Sequence, residues 1–203
     1  MRILGSGKER DGNMSELLER ILCDENMKLA QKRVYANKGA GGIDGVTVRE
    51  LDEYMSKNWN DIKQEIRKRT FKPQPVLRVE IPKENGGKRK LGIPTVVDRT
   101  IQQAIVQVLS PIFEPIFSGN SYGFRPGRNC EQAILKLLDY FNEDYCWIVD
   151  IDLEKFFDNV PQDKLMSFVG RIIRDGDTES LIRKYLKSGV MVKGKYEATE
   201  LGT

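Results

Sequence analysis

The chain has 203 residues, enough for one large domain or two small ones with a sizeable core. Its 33 lysines and arginines face 30 acids, so a formal charge of +3 points to no particular partner. There is no histidine, and Cys23, Cys130 and Cys146 are far apart with no Cys-x-x-Cys pair. That excludes zinc sites of the usual ligand set and histidine-dependent nucleophile triads, and argues against a disulfide framework.

Any acid–base or metal chemistry therefore falls to carboxylates and lysines. No apolar run approaches the roughly 20 residues that span a bilayer, and no signal peptide is visible. A reducing, cytoplasmic setting without membrane contact is the expectation.

Residues 1–14 are rich in glycine and charge without periodicity, which predicts a flexible tail. Ser15 to Cys23 and Glu25 to Tyr35 read as two short helices interrupted around Asp24. The glycine-rich stretch from Asn37 to Gly45 lacks the Walker spacing and follows a helix, so it reads as a flexible loop and not as a nucleotide cradle. Thr47 and Glu50 have capping-box spacing for a helix to about Arg69, which Pro73 and Pro75 end.

Val76 to Pro82 alternates as a strand and can pair with Lys88 to Ile93 across Glu84–Gly87, giving a hairpin with Lys83, Lys88, Arg89 and Lys90 near its tip. Between Lys63 and Lys90 there are ten basic and three acidic residues, a local excess able to neutralise several phosphates or simply to solvate a helix face. Asp98 can cap a helix carrying Ile101, Ala104, Ile105 and Val108 that closes near Pro111.

After the loop Ser121 to Arg128, Asn129 and Gln132 have capping-box spacing for a helix to Phe141. Pro161 to Ile173 and Thr178 to Leu186 read as helices, and Val190 to Lys193 with Tyr196 to Leu201 as a closing hairpin. Helices with few strands give an α+β fold class.

The most informative segment runs from Trp147 to Asp158. An apolar run holds Asp150 and Asp152 at alternate positions and then passes into Phe156-Phe157-Asp158. On a strand Ile148, Asp150 and Asp152 share one side. Carboxylates inside such a run need a partner, because burying them alone is costly. A bound metal ion, a lysine or arginine, or an edge facing water would each remove that cost.

The run Val79 to Lys83, Gly87 to Pro94 and Val97-Asp98-Arg99, then Ser121-Tyr-Gly-Phe-Arg-Pro126, then Asp150 to Asp158, resembles in order the first polymerase blocks of reverse transcriptases encoded by group II introns. The glycine loop at Asn37 to Gly45 corresponds to their additional N-terminal block. The resemblance covers about Ser15 to Thr203. It implies a fingers–palm fold with helices on a small, mainly antiparallel sheet and an incomplete palm. Residues 15–125 would be mainly fingers, including loop 37–45 and hairpin 76–94. The palm would start within 126–203, with 161–188 packing back toward the fingers.

The resemblance also implies site residues. Counting back from Phe157 makes Asp152 the catalytic, metal-binding aspartate, with the Leu153 carbonyl as a second metal ligand and Asp150 as a structural neighbour. Two Mg²⁺ ions would hold the primer 3′ oxygen and the triphosphate. Lys83 and Arg89 would clasp the incoming dNTP, Phe157 would lie beneath its sugar and exclude a 2′-OH, and Arg125 would brace nucleotide or template. Lys38, Lys63, Arg67, Lys68, Arg69 and Lys72 are the candidate RNA contacts.

The implied function is RNA-directed DNA synthesis by an intron-encoded bacterial protein that binds its group II intron RNA, an RNA template with a DNA primer, and dNTP, and assists splicing and retrohoming. The chain stops before the Pro-Gln-Gly and Tyr-x-Asp-Asp motifs of such relatives, so the expectation is a fragment inactive as a polymerase, with apolar surface suited to a homodimer. A non-catalytic RNA-binding maturase and another bacterial reverse transcriptase, of diversity-generating or defence-associated type, are the alternatives.

Overall fold

Helix α1 (Glu16–Leu22) starts where the Ser15 side chain accepts from the Leu18 amide, and it ends at Cys23, whose backbone is extended. That single residue separates it from α2 (Asp24–Ala36), so the break falls one position before the predicted Asp24. The described residues of this computed structural model are 15–82 and 86–202. The predicted tail at 1–14, and Lys83, Glu84 and Asn85 of the hairpin turn, lie outside them.

Helix α3 (Leu51–Arg67) begins later than the Thr47 cap predicts. The Glu50 carboxylate accepts from the Thr47 amide and hydroxyl at 2.9 and 2.7 Å, closing a turn over 47–50 before the helix starts. Helix α4 (Val96–Phe113) is capped by Thr95 and not by Asp98. The two close a reciprocal pair, with the Asp98 amide donating to Thr95 Oγ1 and that hydroxyl to Asp98 Oδ2. Pro111 lies in the last turn, where its missing amide leaves the Gln107 carbonyl one intrahelical donor short, and the helix still runs on to Phe113.

The core is helical. Leu18, Ile21 and Leu22 of α1, Met27, Ala30 and Val34 of α2, and Leu51, Met55 and Ile66 of α3 close on Val96, Ile101, Ala104 and Val108 of α4. These positions recur three or four apart, which is the stripe a packed helix needs. Asn26 ties α2 to α4: its Nδ2 donates to the Ile21 and Ala104 carbonyls, and Gln107 Nε2 donates back to Asn26.

Strands β1 (Val76–Pro82) and β2 (Lys88–Ile93) form the predicted antiparallel hairpin, with Ile81 opposite Arg89 and Glu80 opposite Lys90. β3 (Val190–Val192) and β4 (Lys195–Glu197) complete a mixed sheet of order β2-β1-β3-β4, in which β1 and β3 are parallel. Between them α6 (Gln162–Ile173) and α7 (Gly176–Leu186) return to the helical core, where Leu181 is buried and Ile173, Ile182 and Tyr185 pack. Polar links reinforce that return. Arg69 pairs with Asp177, Ser15 donates to Asp175, and Lys184 Nζ donates to the Arg69 and Phe71 carbonyls.

Helix α5 (Cys130–Asn142) is different: its capping box between Asn129 and Gln132 forms in full, yet none of its residues is buried. Ile134, Leu135, Leu138 and Phe141 face solvent.

Candidate functional site

The β1–β2 hairpin sorts its side chains by register. Alternation puts Arg89, Leu91, Val79 and Ile81 on one face and Val76, Arg78, Lys90 and Gly92 on the other. The first face is open, with Val79, Ile81 and Leu91 all exposed beside the Arg89 guanidinium. Lys83 continues toward the turn, outside the described residues. Lys88 pairs with Glu80 at 2.8 Å, which raises the Lys88 ammonium and lowers the Glu80 carboxyl from their ordinary values.

Trp147 to Leu153 is not the strand that its alternation predicts. The segment forms no regular element and joins no ladder among the described residues, and Trp147, Ile148, Val149, Ile151 and Leu153 are all exposed. A strand needs a neighbour to satisfy its amides and carbonyls, and none of the described strands pairs with it. Asp150 and Asp152 accordingly stand in solvent and not in a closed core.

The chain then turns through Lys155, which adopts a left-handed backbone, into a short 3-10 turn at Phe157–Asn159. Phe157 is exposed and meets Phe156 edge to face at 5.5 Å. Gly202 closes against this turn: its amide donates to the Val160 carbonyl, and a Cβ there would stand 3.0 Å from the Phe157 carbonyl.

Arg125 is engaged inside the molecule. Its Nε and Nη2 grip Glu114 Oε1 at 3.1 and 2.7 Å, Nη1 donates to the Ser118 and Ser121 carbonyls, and Nη2 also reaches the Glu114 carbonyl. Its guanidinium also lies over the Phe117 ring. All five N–H groups of the fork thus have acceptors within 114–121, so the residue fixes this loop. The neighbouring Phe124 is fully exposed in a left-handed conformation with φ 56°.

The basic stretch divides in two. Lys63 pairs with Asp24, Arg67 grips Glu19 with two bonds of 3.0 and 2.6 Å, and Arg69 pairs with Asp177. The Trp59 indole and Lys63 together lower the Asp24 carboxyl. Lys38, Lys68 and Lys72 are exposed.

The loop Asn37 to Gly45 is not the free loop its composition predicts. Arg99 enters it from α4, with Nη2 donating to the Ala40 carbonyl at 2.6 Å. A Cβ at Gly39 would strike that guanidinium, and one at Gly42 would stand 2.6 Å from Thr95 Cα. The glycines allow the loop to lie directly on the start of α4. Sequence reasoning missed Arg99 in this role, for which glycine spacing gives no periodic signal.

For Mg²⁺, the chemistry of the donors is right but the set is short. Asp152 and the Leu153 carbonyl are hard oxygen ligands, yet no three carboxylate, cysteine or histidine side chains converge among the described residues. Mg²⁺ asks for six oxygens in octahedral geometry. These residues alone do not hold the ions.

The family model described as reverse transcriptase (RNA-dependent DNA polymerase) matches residues 81–202, more than half of the chain, so this chain belongs to the reverse transcriptase family.

Its curated relatives include the group II intron-encoded protein LtrA of Lactococcus lactis, 34% identical over 97% of this chain and 33% of that protein. Protein YkfC of Escherichia coli is 34% identical over 93% of this chain and 51% of its own length. A putative COX1/OXI3 intron 2 protein of Saccharomyces cerevisiae is 33% identical over 90% and 21%. The chain thus spans about a third to a half of the first two. In a solved partial Cas6-RT-Cas1–Cas2 complex the matching fold covers 93% of this chain and 31% of that one, with TM-score 0.59 and 22% identity.

Proposed function

We propose that these residues are the fingers and the beginning of the palm of a group II intron-encoded reverse transcriptase that copies RNA into DNA, binds its intron RNA and assists splicing and retrohoming. The observation that carries this reading is the match of residues 81–202 to the polymerase family together with similarity to an intron-encoded protein over nearly the whole chain.

In this reading Asp152 supplies one carboxylate, and Leu153 its carbonyl, to a two-Mg²⁺ site that further acids complete. The metal would supply charge neutralisation and an activated primer oxygen. This chain's own residues bind and orient. Arg89, with Lys83, meets the triphosphate of a dNTP. Phe157, on its 3-10 turn, would collide with a ribose 2′-OH and so select a deoxynucleotide. Arg125 keeps loop 114–125 in place. Lys38, Lys68 and Lys72 are the cations open to RNA phosphates, while Lys63, Arg67 and Arg69 would have to leave internal partners to reach one. A bacterial cytoplasmic setting and association through the exposed apolar face belong to the same reading.

The test is Asp152→Asn in a chain extended to the length of these relatives. Mg²⁺-dependent primer extension is lost, while RNA binding and splicing persist. Extension undiminished by the substitution would overturn the assignment.

A further inference from the structure

Beneath the inner face of the β1–β2 hairpin lies a cavity of about 630 Å³ that neither Asp152 nor Arg89 lines. Its size falls within the roughly 300–1,000 Å³ of small-ligand pockets. The floor and walls are apolar: Ile105 and Val106 from α4 face Ile182 and Leu186 from α7. Gly92 packs closely against β1, where a Cβ would stand 2.8 Å from Val76 Cγ1.

Two cations, Arg78 and Lys90, line it from the inner sheet face, one on each strand of the hairpin. Neither has an ion-pair partner among the described residues, whereas Lys88 on the same face is taken by Glu80. Gln102 and Asp158 are among the polar residues of the lining. The Ser188 and Thr199 hydroxyls, also in the wall, already donate to the Tyr185 and Leu186 carbonyls and present oxygen lone pairs.

We propose that this cavity holds one unstacked nucleotide of a single RNA strand, on the face of the hairpin opposite Arg89. The inference rests on the polymerase reading above. The base lies against Val106, Ile105 and Leu186, the Gln102 amide meets its hydrogen-bonding edge, the Asp158 carboxylate accepts from an exocyclic amine or ribose hydroxyl, and Arg78 and Lys90 neutralise the flanking phosphates. An apolar wall beside two cations suits a base taken out of its stack better than it suits a duplex, whose bases are not free to enter.

The experiment is fluorescence anisotropy of a labelled ten-nucleotide RNA on the 203-residue chain, titrated with salt. Arg78→Ala/Lys90→Ala weakens binding by about tenfold or more and lowers the salt slope by about 1 to 2, as expected for two lost phosphate contacts. Val106→Trp, at a position more than half exposed, fills the cavity; it weakens binding with the slope unchanged. Melting curves establish that each variant folds, and the alanine pair on exposed strands remains decisive if the tryptophan does not fold.

Wild-type affinity in both variants, with Arg89→Ala weakening it, overturns the cavity site and leaves the polymerase reading intact. Absence of salt-dependent RNA binding by the wild-type chain overturns both.

Discussion

Asp98 shows how much a single buried carboxylate decides. It accepts from the Thr95 hydroxyl and the Gln74 amide, joining the segment after α3 to the first turn of α4. Burial outweighs those bonds and pushes its carboxyl above the ordinary value near 3.8. The folded state therefore holds the proton more tightly than the unfolded chain, so this group's contribution to stability is lost as pH rises from the ordinary value through the folded one. Asn keeps an acceptor oxygen without the charge. We expect the stability of Asp98→Asn relative to wild type to rise across that window and level off above it. Urea unfolding of both proteins at a series of pH values reads the difference, and a difference independent of pH would refute the account.

Arg125 gives a second prediction. With five donors satisfied and its side chain nearly buried, Arg125→Ala leaves Glu114 without its partner and costs about 3 kcal/mol of stability. Arg125→Lys recovers little, because three donors from one nitrogen cannot reproduce the planar fork. Chemical denaturation distinguishes this structural part from a purely nucleotide-binding one, for which both variants would melt as wild type does.

At the level of elements, α5 and the segment behind it form a region the core does not hold. The apolar stripe of Ile134, Leu138 and Phe141 is exposed, and so are Trp147, Val149 and Ile151. Exposed apolar surface of this extent is unusual for a monomer. We expect hydrophobic-dye fluorescence from the chain, reduced by Leu138→Glu, and the melting temperature unchanged because Leu138 contributes to no core. A large drop in melting temperature would show that α5 is packed after all. Amides of 147–153 exchange within the fastest class, as unpaired backbone must.

The elements also show what was legible in the sequence. The hairpin at 76–93, the capping box at Asn129, and the helices at 162–186 are local patterns, and each stands where periodicity and turn chemistry place it. The strand at 147–152 was misread because alternation reports a propensity for a sheet and cannot supply the neighbour. The glycine loop was misread for the opposite reason. Glycine in sequence reports freedom, whereas here it reports close approach by Arg99 and Thr95, a tertiary fact. At the site, residue types identified Asp152, Arg89 and Phe157 only through the order of several motifs. The ion pairs that engage Arg67 and Arg69 come from helices 48 and 108 residues away and leave no trace in a charge count.

For the whole molecule the decisive quantity is the number of acidic ligands. With Asp152 and Asp150 exposed and no third acid nearby among the described residues, the 203-residue chain is expected to make no cDNA in a primer-extension assay with Mg²⁺ or Mn²⁺. Robust synthesis by these residues alone would show that the site is complete without further acids. The RNA binding proposed above would rest on exposed lysines and arginines and should fall steeply from low to high salt. Filter binding unchanged across that range would remove phosphate contact from the account.

The parallel pairing of Val76 and Leu77 with Val190 and Met191 has a kinetic consequence. The hairpin can zip within microseconds of leaving the ribosome, but its inner edge stays open until nearly a hundred further residues have been synthesised and threaded back. Through that interval the nascent chain carries an uncapped β edge next to a cationic tip. A chaperone, or the transcript itself, has seconds in which to reach it first.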